Sequence, residues 1–251
     1  TLTITLNGSI YTANVSSNSA TVTITAAGLQ NLTDGNTYTL TADVSDAAGN
    51  AAAQVTSSSF SVDTSVPSIN AIGTGAFSWG SVLNATEDNA DGTVTVTTVG
   101  VEDGRTLTIT LNGSTYTANV SSNSATVTIT ATGLQALTNG QSYTLTADVS
   151  DAAGNAATQV TSSAFSVDTS VPSIYAIATS AFSWGDRLNA TEDNADGTVT
   201  VTTVGVEDGQ TLTITLNGST YTGNVSSNSA TVTITAAGLQ ALTDGQSYTL
   251  T

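Results

Sequence analysis

Apolar and polar residues alternate strictly along most of this chain. Leu107, Ile109 and Leu111 are separated by threonines, as are Val94 and Val96, Val127 and Ile129, and the run Tyr143, Leu145, Ala147, Val149. Side chains in a strand point alternately to opposite faces, so this pattern predicts half-buried strands with an apolar inner face and a Thr-rich outer face. No stretch shows helical periodicity of comparable strength, and at most one helical turn is expected near residues 133–137. Asp91-Gly92, Asp103-Gly104, Asn112-Gly113 and Asn139-Gly140 punctuate the strands at the spacing of an all-β sandwich.

The pattern also repeats as a whole. Thr1-Leu-Thr-Ile-Thr-Leu-Asn-Gly8 returns at Thr106 and again at Thr211, a period of 105 residues, and 91 of those 105 positions agree between the first copy and the second. A period of this length is a domain, not a solenoid turn. Catalysis needs one good site, whereas near-identical copies in series supply length or multivalency, and the pattern favours length.

Pro67 and Pro172, the only prolines, lie in the two copies of Val-Asp-Thr-Ser-Val-Pro and mark the entry to a first strand, since proline cannot donate to a central ladder. One complete domain is therefore expected over 64–168, flanked by a partial one over 1–63 that lacks its first strands and a partial one over 169–251 that lacks its last. Within the complete copy strands are predicted near 68–72, 92–98, 105–111, 115–119, 125–130, 141–149 and 157–167. The expected class is all-β: tandem immunoglobulin-like β-sandwich domains joined end to end, about seven strands each.

Charge narrows the list of partners. Nineteen Asp and Glu face only Arg105 and Arg187, with no Lys and no His, for a formal net charge of −17. Nucleic acid and direct membrane contact are not expected of a chain without cationic patches. Cysteine and methionine are absent, so disulfides cannot staple the array. No segment is apolar over the length of a membrane helix, and the first residues lack the layout of a signal peptide.

The acids concentrate in loops and at strand ends. A sandwich topology places Glu87, Asp88 and Asp91 at one end of the complete domain, and Glu102, Asp103, Asp151 and Asn155 at the other, beside the linker residue Asp63. A head-to-tail array would then gather Glu87, Asp88, Asp91, Asp168, Glu207 and Asp208 at the second junction. Asp46, Asn50, Glu192, Asp193 and Asp196 are the corresponding positions in the partial copies. Carboxylates packed together repel unless a cation joins them, and calcium takes six to eight oxygen ligands of these types. The alternative is that the acids decorate solvated loops and keep the chain soluble. Asp34 gives way to Asn139 in the next copy, which argues against an essential carboxylate ligand there. There is no EF-hand loop, and zinc lacks its His and Cys ligands.

Other chemistry finds little support. Adjacent acids such as Glu102 and Asp103 point apart in a turn, and a nucleophilic triad lacks its base, so no enzyme and no small-molecule substrate are expected. The Thr rows could offer a lattice to ice, but threonine is a good strand former and sandwich sheets twist. Trp79 and Trp184, one per copy, could stack on sugar or anchor a core. The Asn-x-Ser/Thr triplets arise readily in a chain this rich in those residues.

The order Val-Glu-Asp-Gly…Leu-Thr-Ile-Thr-Leu-Asn-Gly…Asp-Ala-Ala-Gly-Asn…Phe-Ser-Val-Asp-Thr-Ser-Val-Pro resembles the bacterial immunoglobulin-like repeats of giant RTX-type adhesins. The resemblance covers essentially the whole chain. It implies a secreted fibre on the bacterial surface, in which calcium-rigidified repeats act as an extender that projects a distal binding domain. By that likeness the acidic loops and the linker residues Asp63 and Asp168 become calcium ligands, the partners are the neighbouring repeats of the same chain, and the solution form is a monomeric rod. Two other readings remain open: a carbohydrate- or matrix-binding array that gains by avidity, and a self-associating biofilm polymer.

Overall fold

A computed structural model describes residues 1–251. It contains β-strands, three five-residue α-helices and short 3-10 turns. Contacts divide it into two compact units, one of Thr1–Leu83 with Glu87–Val167, the other of Asn84–Thr86 with Asp168–Thr251.

Within the first unit the copy that begins at Ser68 shows how the pattern folds. Ser114–Asn119, Thr106–Leu111, Leu145–Asp148 and Val160–Thr161 form one sheet in that order. Ser124–Ile129, Gly92–Val99 and Ser68–Ile69 form a second. All pairs are antiparallel, with Ile109 opposite Tyr116 and Ala147, and Val94 opposite Val127. The alternating apolar residues close the space between the sheets: Val94, Leu107, Ile109, Val127, Ile129 and Leu145 are all fully buried in one core cluster. Each such side chain contributes about 1.5–3 kcal/mol by leaving water. The outward threonines stand in cross-strand register, as in Thr95 opposite Thr126, whose hydroxyls lie 3.3 Å apart. This is the immunoglobulin-like sandwich.

The strands differ from expectation at the sandwich corner. The strand predicted over 141–149 breaks at Thr144 into Ser142–Tyr143 and Leu145–Asp148, and the one over 157–167 breaks into Val160–Thr161 and Phe165–Asp168. The first piece of one pairs with the last piece of the other, in a third small sheet that also holds an unpredicted strand, Val82–Asn84. Ser162, which is buried, makes the crossing possible: its hydroxyl accepts from Leu145 N–H at 3.1 Å and donates to Ser163 O at 2.8 Å. A bend of this kind is how a strand passes from one sheet of a sandwich to the other.

Residues 1–63 hold a four-stranded sheet of Ser9–Ala13, Leu2–Leu6, Leu40–Val44 and Val55–Thr56. Ala20–Thr25 repeats the sequence of Ala125–Thr130, which lies mostly in a strand, yet forms none. The Gly92–Val99 strand that the later copy pairs with has no counterpart within residues 1–63, so the same side chains have no ladder to join. In the second unit Gly197–Val204 is present, and Ser229–Ile234 pairs with it along its length.

Each copy contains a short helix, Ala26–Gln30, Ala131–Gln135 or Ala236–Gln240, capped by Thr25, Thr130 or Thr235 through a bond from the glycine three residues on. Trp79 fills the space beside the second helix, 5% exposed, stacked on Phe77 at a centroid distance of 5.2 Å and edge-on to Phe165 at 5.3 Å. Gly92 is required there, because a Cβ would stand 2.7 Å from the Trp79 ring.

Candidate functional site

The loop acids are the candidate chemistry, and most of them hold backbone. Asp91 Oδ1 accepts from Ala131 N–H at 2.8 Å, completing the N-terminus of the second helix, while Asn89 Oδ1 accepts from the Gln135 amide at 2.9 Å. Asp196 and Asn194 do the same for the third helix through Ala236 and Gln240. Asp103 ties Ser122 N–H at 2.7 Å, and Asp208 ties Ser227 N–H in the same way. Asp88 accepts from Asn89, and Glu192 from Asn189 N–H. Glu87 opens the 3-10 turn Glu87–Asn89, and Glu207 is exposed in the loop before Thr211. Asp193 Oδ1 is buried without a hydrogen-bond partner.

The strongest local structure is the Asp-Ala-Ala-Gly-Asn loop. Asp151 accepts from Gly154 N–H, Asn155 N–H and the Asn155 side-chain amide, each at 2.8 Å. Asp46 accepts from Ala48 N–H, Asn50 N–H and the Asn50 amide, at 3.0, 2.8 and 2.8 Å. Asp151 is 1% exposed whereas Asp46 is exposed. Burial opposes ionisation of Asp151, and the Asn155 side chain and backbone and the Gly154 N–H outweigh it, so its pKa lies below the ordinary carboxylate value. For Asp46 the Asn50 side chain is the leading cause of the same downward shift.

Around Asp151 the structure brings together residues expected at one junction. Glu102 Oε2 accepts from Ala152 N–H at 2.8 Å, and the Asn155 amide donates to the linker carbonyl of Asp63 at 3.2 Å. The linker carboxylates themselves make local turns, Asp63 with Ser65 N–H and Asp168 with Ser170 N–H, both at 3.1 Å. These donors are all oxygen, the chemistry that calcium prefers. Nowhere, however, do three carboxylates converge closely enough to hold a metal ion, because most of these acids point an oxygen at an N–H.

Three residues that sequence reasoning left out of the site take part in it. Asp34 Oδ1 accepts from Thr64 N–H at 2.6 Å and from the Thr64 hydroxyl at 3.2 Å, and its Oδ2 accepts from the Ser65 hydroxyl at 2.7 Å. These bonds place its pKa below the ordinary carboxylate value, with Ser65 the leading cause. Asp148 is bridged by the Gln159 amide at 2.9 and 3.0 Å, and Arg105 Nε donates to Ser150 O at 3.3 Å. The Asp34 contacts span about thirty residues, and no local motif announces them.

A chain of a bacterial ice-binding adhesin retained at the host cell surface is 27% identical over 96% of this chain and 76% of that one, with a TM-score of 0.44. A Ca2+-stabilised adhesin with which an Antarctic bacterium binds ice is 28% identical, over 100% of this chain and 62% of that one, at a TM-score of 0.43. A bacterial immunoglobulin-like domain of the M. primoryensis ice-binding adhesin is 31% identical over 41% of this chain and 96% of that one, at 0.30. This chain is similar to the immunoglobulin-like repeats of bacterial adhesins. No protein-family model and no curated protein matches it. No helix of the protein is long and apolar enough to cross a membrane.

Proposed function

We propose that this chain is an extender segment of a secreted bacterial surface adhesin, built of repeats divided at 63/64 and 168/169, which holds a distal binding domain away from the cell. The observation that carries the reading is the use made of the loop acids: in near-identical copies the same carboxylates cap helices and close loops. Asp91 and Asp196 for the helices, and Asp46 and Asp151 for the loop, are committed to structure in two copies each, which suits a spacer. The aromatic residue that a sugar-binding array would display packs on the core instead, since Trp79 is buried between Phe77 and Phe165, and Trp184, partly buried, stacks on Phe182 against its own core. That favours the extender over the binding array.

Calcium enters as part of the same proposal. One of the similar adhesins is described as Ca2+-stabilised. Here Asp63, Glu102, Asp151 and Asn155 would hold an ion at the first junction, and the loop acids Glu87, Asp88 and Asp91, the linker Asp168, and the loop acids Glu207 and Asp208 would each contribute ligands of the same kind, neutralising a strongly acidic chain. Asp103 belongs with the first set, and Asp46, Asn50, Glu192, Asp193 and Asp196 are the same positions in the flanking copies. Small-angle scattering and thermal melting in chelator and then in millimolar calcium test it. A straighter particle with a higher Tm supports ion-linked spacing, because a ligand of the folded state must stabilise it. Indifference of both readouts removes calcium from the reading and leaves the acids as hydrogen-bond acceptors.

A further inference from the structure

We propose that the first repeat junction carries a cation-independent clamp, in which Asp34 and Asn155 grip the linker Asp63-Thr64-Ser65 from opposite sides. On one side Asp34 stands in a turn fixed to the end of its own copy, where Gly35 N–H donates to Val62 O at 2.8 Å and Val62 N–H to Asn36 O at 2.9 Å. From there its two oxygens take three donors of the linker: Thr64 N–H at 2.6 Å, the Thr64 hydroxyl at 3.2 Å and the Ser65 hydroxyl at 2.7 Å. On the other side Asn155, itself fastened by both its amide groups to Asp151, donates to Asp63 O at 3.2 Å.

The linker thus has its polar groups bonded in both directions. Asp63 Oδ1 closes a local turn on Ser65 N–H, and the chain then passes through buried Pro67 into Ser68, which pairs with Val99. Only Val66 lies between the clamp and that proline. Hydrogen bonds to a carboxylate are shorter and stronger than those between neutral groups, and proline fixes its own backbone torsion. Every donor to Asp34 is neutral, so nothing in the clamp requires a metal ion. A short linker held at each end transmits the orientation of one copy to the next, and the role of Asp34 is that of a positioning residue. The inference rests on the extender reading only in that a spacer benefits from a stiff junction.

The absence of cysteine makes the test clean. Ser9→Cys and Ser114→Cys, both at exposed positions of successive copies, carry spin labels in the full chain, and pulsed electron resonance reads the distance distribution between them. With chelator present, the otherwise unaltered chain is expected to give one narrow distribution. Asp34→Ala should lose it, Ser65→Ala should broaden it partly, and Asp34→Asn should retain most of it because an amide oxygen still accepts. Circular dichroism confirms that each variant is folded. An unchanged width in folded Asp34→Ala overturns the clamp. So does a parent chain already broad in chelator, and if calcium then narrows that chain, ion-linked stiffening survives while the clamp fails. Broadening by Asp34→Ala together with indifference of the parent to calcium upholds the clamp and removes the ion.

Discussion

Phe60 and Phe165 hold the same place in two copies of the repeat, yet Phe165 is 1% exposed and Phe60 37%. Phe165 meets Trp79 and Phe77 edge-on, whereas Phe60 has only Tyr38 at a centroid distance of 6.2 Å. The aromatic pair that would cover Phe60 has no counterpart within residues 1–63. Burial of this phenylalanine is set by Phe77 and Trp79, in the segment that follows the 3-10 turn Thr74–Ala76, not by its neighbours in sequence.

Phe165→Ala should therefore cost about 3–5 kcal/mol, the usual loss for a buried phenylalanine, while Phe60→Ala should cost well under half of that. Denaturant unfolding of the full chain, followed by tryptophan fluorescence, measures both. Equal losses would show that residues 1–63 bury their core as completely as residues 64–168.

Gly92→Ala probes the same cluster from the strand. The added methyl would meet the Trp79 ring at 2.7 Å and Leu134 at 3.1 Å, so the ring must move within a packed core. Overpacking of this kind costs about 1–3 kcal/mol. A lowered Tm with a red-shifted emission is expected, and a Tm equal to that of the parent would mean that the indole has room to yield.

Tyr143 holds the turn after the second helix, its hydroxyl accepting from Thr138 N–H at 2.9 Å, and Tyr38 and Tyr248 repeat the bond with Thr33 and Thr243. That N–H lowers the Tyr143 pKa by favouring the phenolate. Tyr143→Phe keeps the ring and removes the acceptor, and should cost about 1–2 kcal/mol. Calorimetry of the variant checks it, and no loss of stability would mean that water replaces the hydroxyl.

Much of this architecture is legible in the sequence because it follows from alternation. The strands predicted near 92–98, 105–111 and 125–130 appear as Gly92–Val99, Thr106–Leu111 and Ser124–Ile129. What alternation cannot carry is which sheet a residue joins. Ser142 to Asp148 keeps its period through Thr144 while the chain changes sheets, and the Ser162 hydroxyl that permits this lies seventeen residues from Leu145, the residue it bonds. Ala20–Thr25 shows the complementary limit, a strand sequence without a strand to pair with. Among the acids, position in loops is readable from turn residues, but duty is not. The replacement of Asp34 by Asn139 argues against a metal ligand there but says nothing of hydrogen bonding, since an amide oxygen accepts as a carboxylate does; the contacts of Asp34 with Thr64 and Ser65 arise only when the two ends of the copy meet.

Acid should weaken the first junction through Asp34. Bonds from Ser65, then Thr64, lower its pKa from the ordinary value of 3.8. A carboxyl whose folded pKa is depressed contributes stability above its unfolded pKa and loses it as the pH falls from that value through the lowered one. The order of the linker should thus be intact at neutral pH and fade only as the pH drops below 3.8, where a proton occupies one of the acceptor oxygens. Asp34→Asn has no such proton to gain, so its linker order should be flat across the same range. Amide hydrogen exchange of Thr64 and Ser65, read by nuclear magnetic resonance as the pH is lowered, separates the two. Parallel acid profiles for parent and Asp34→Asn would assign the acid sensitivity to another carboxylate of the chain, while a profile in the parent alone ties it to the oxygens that hold Thr64 and Ser65.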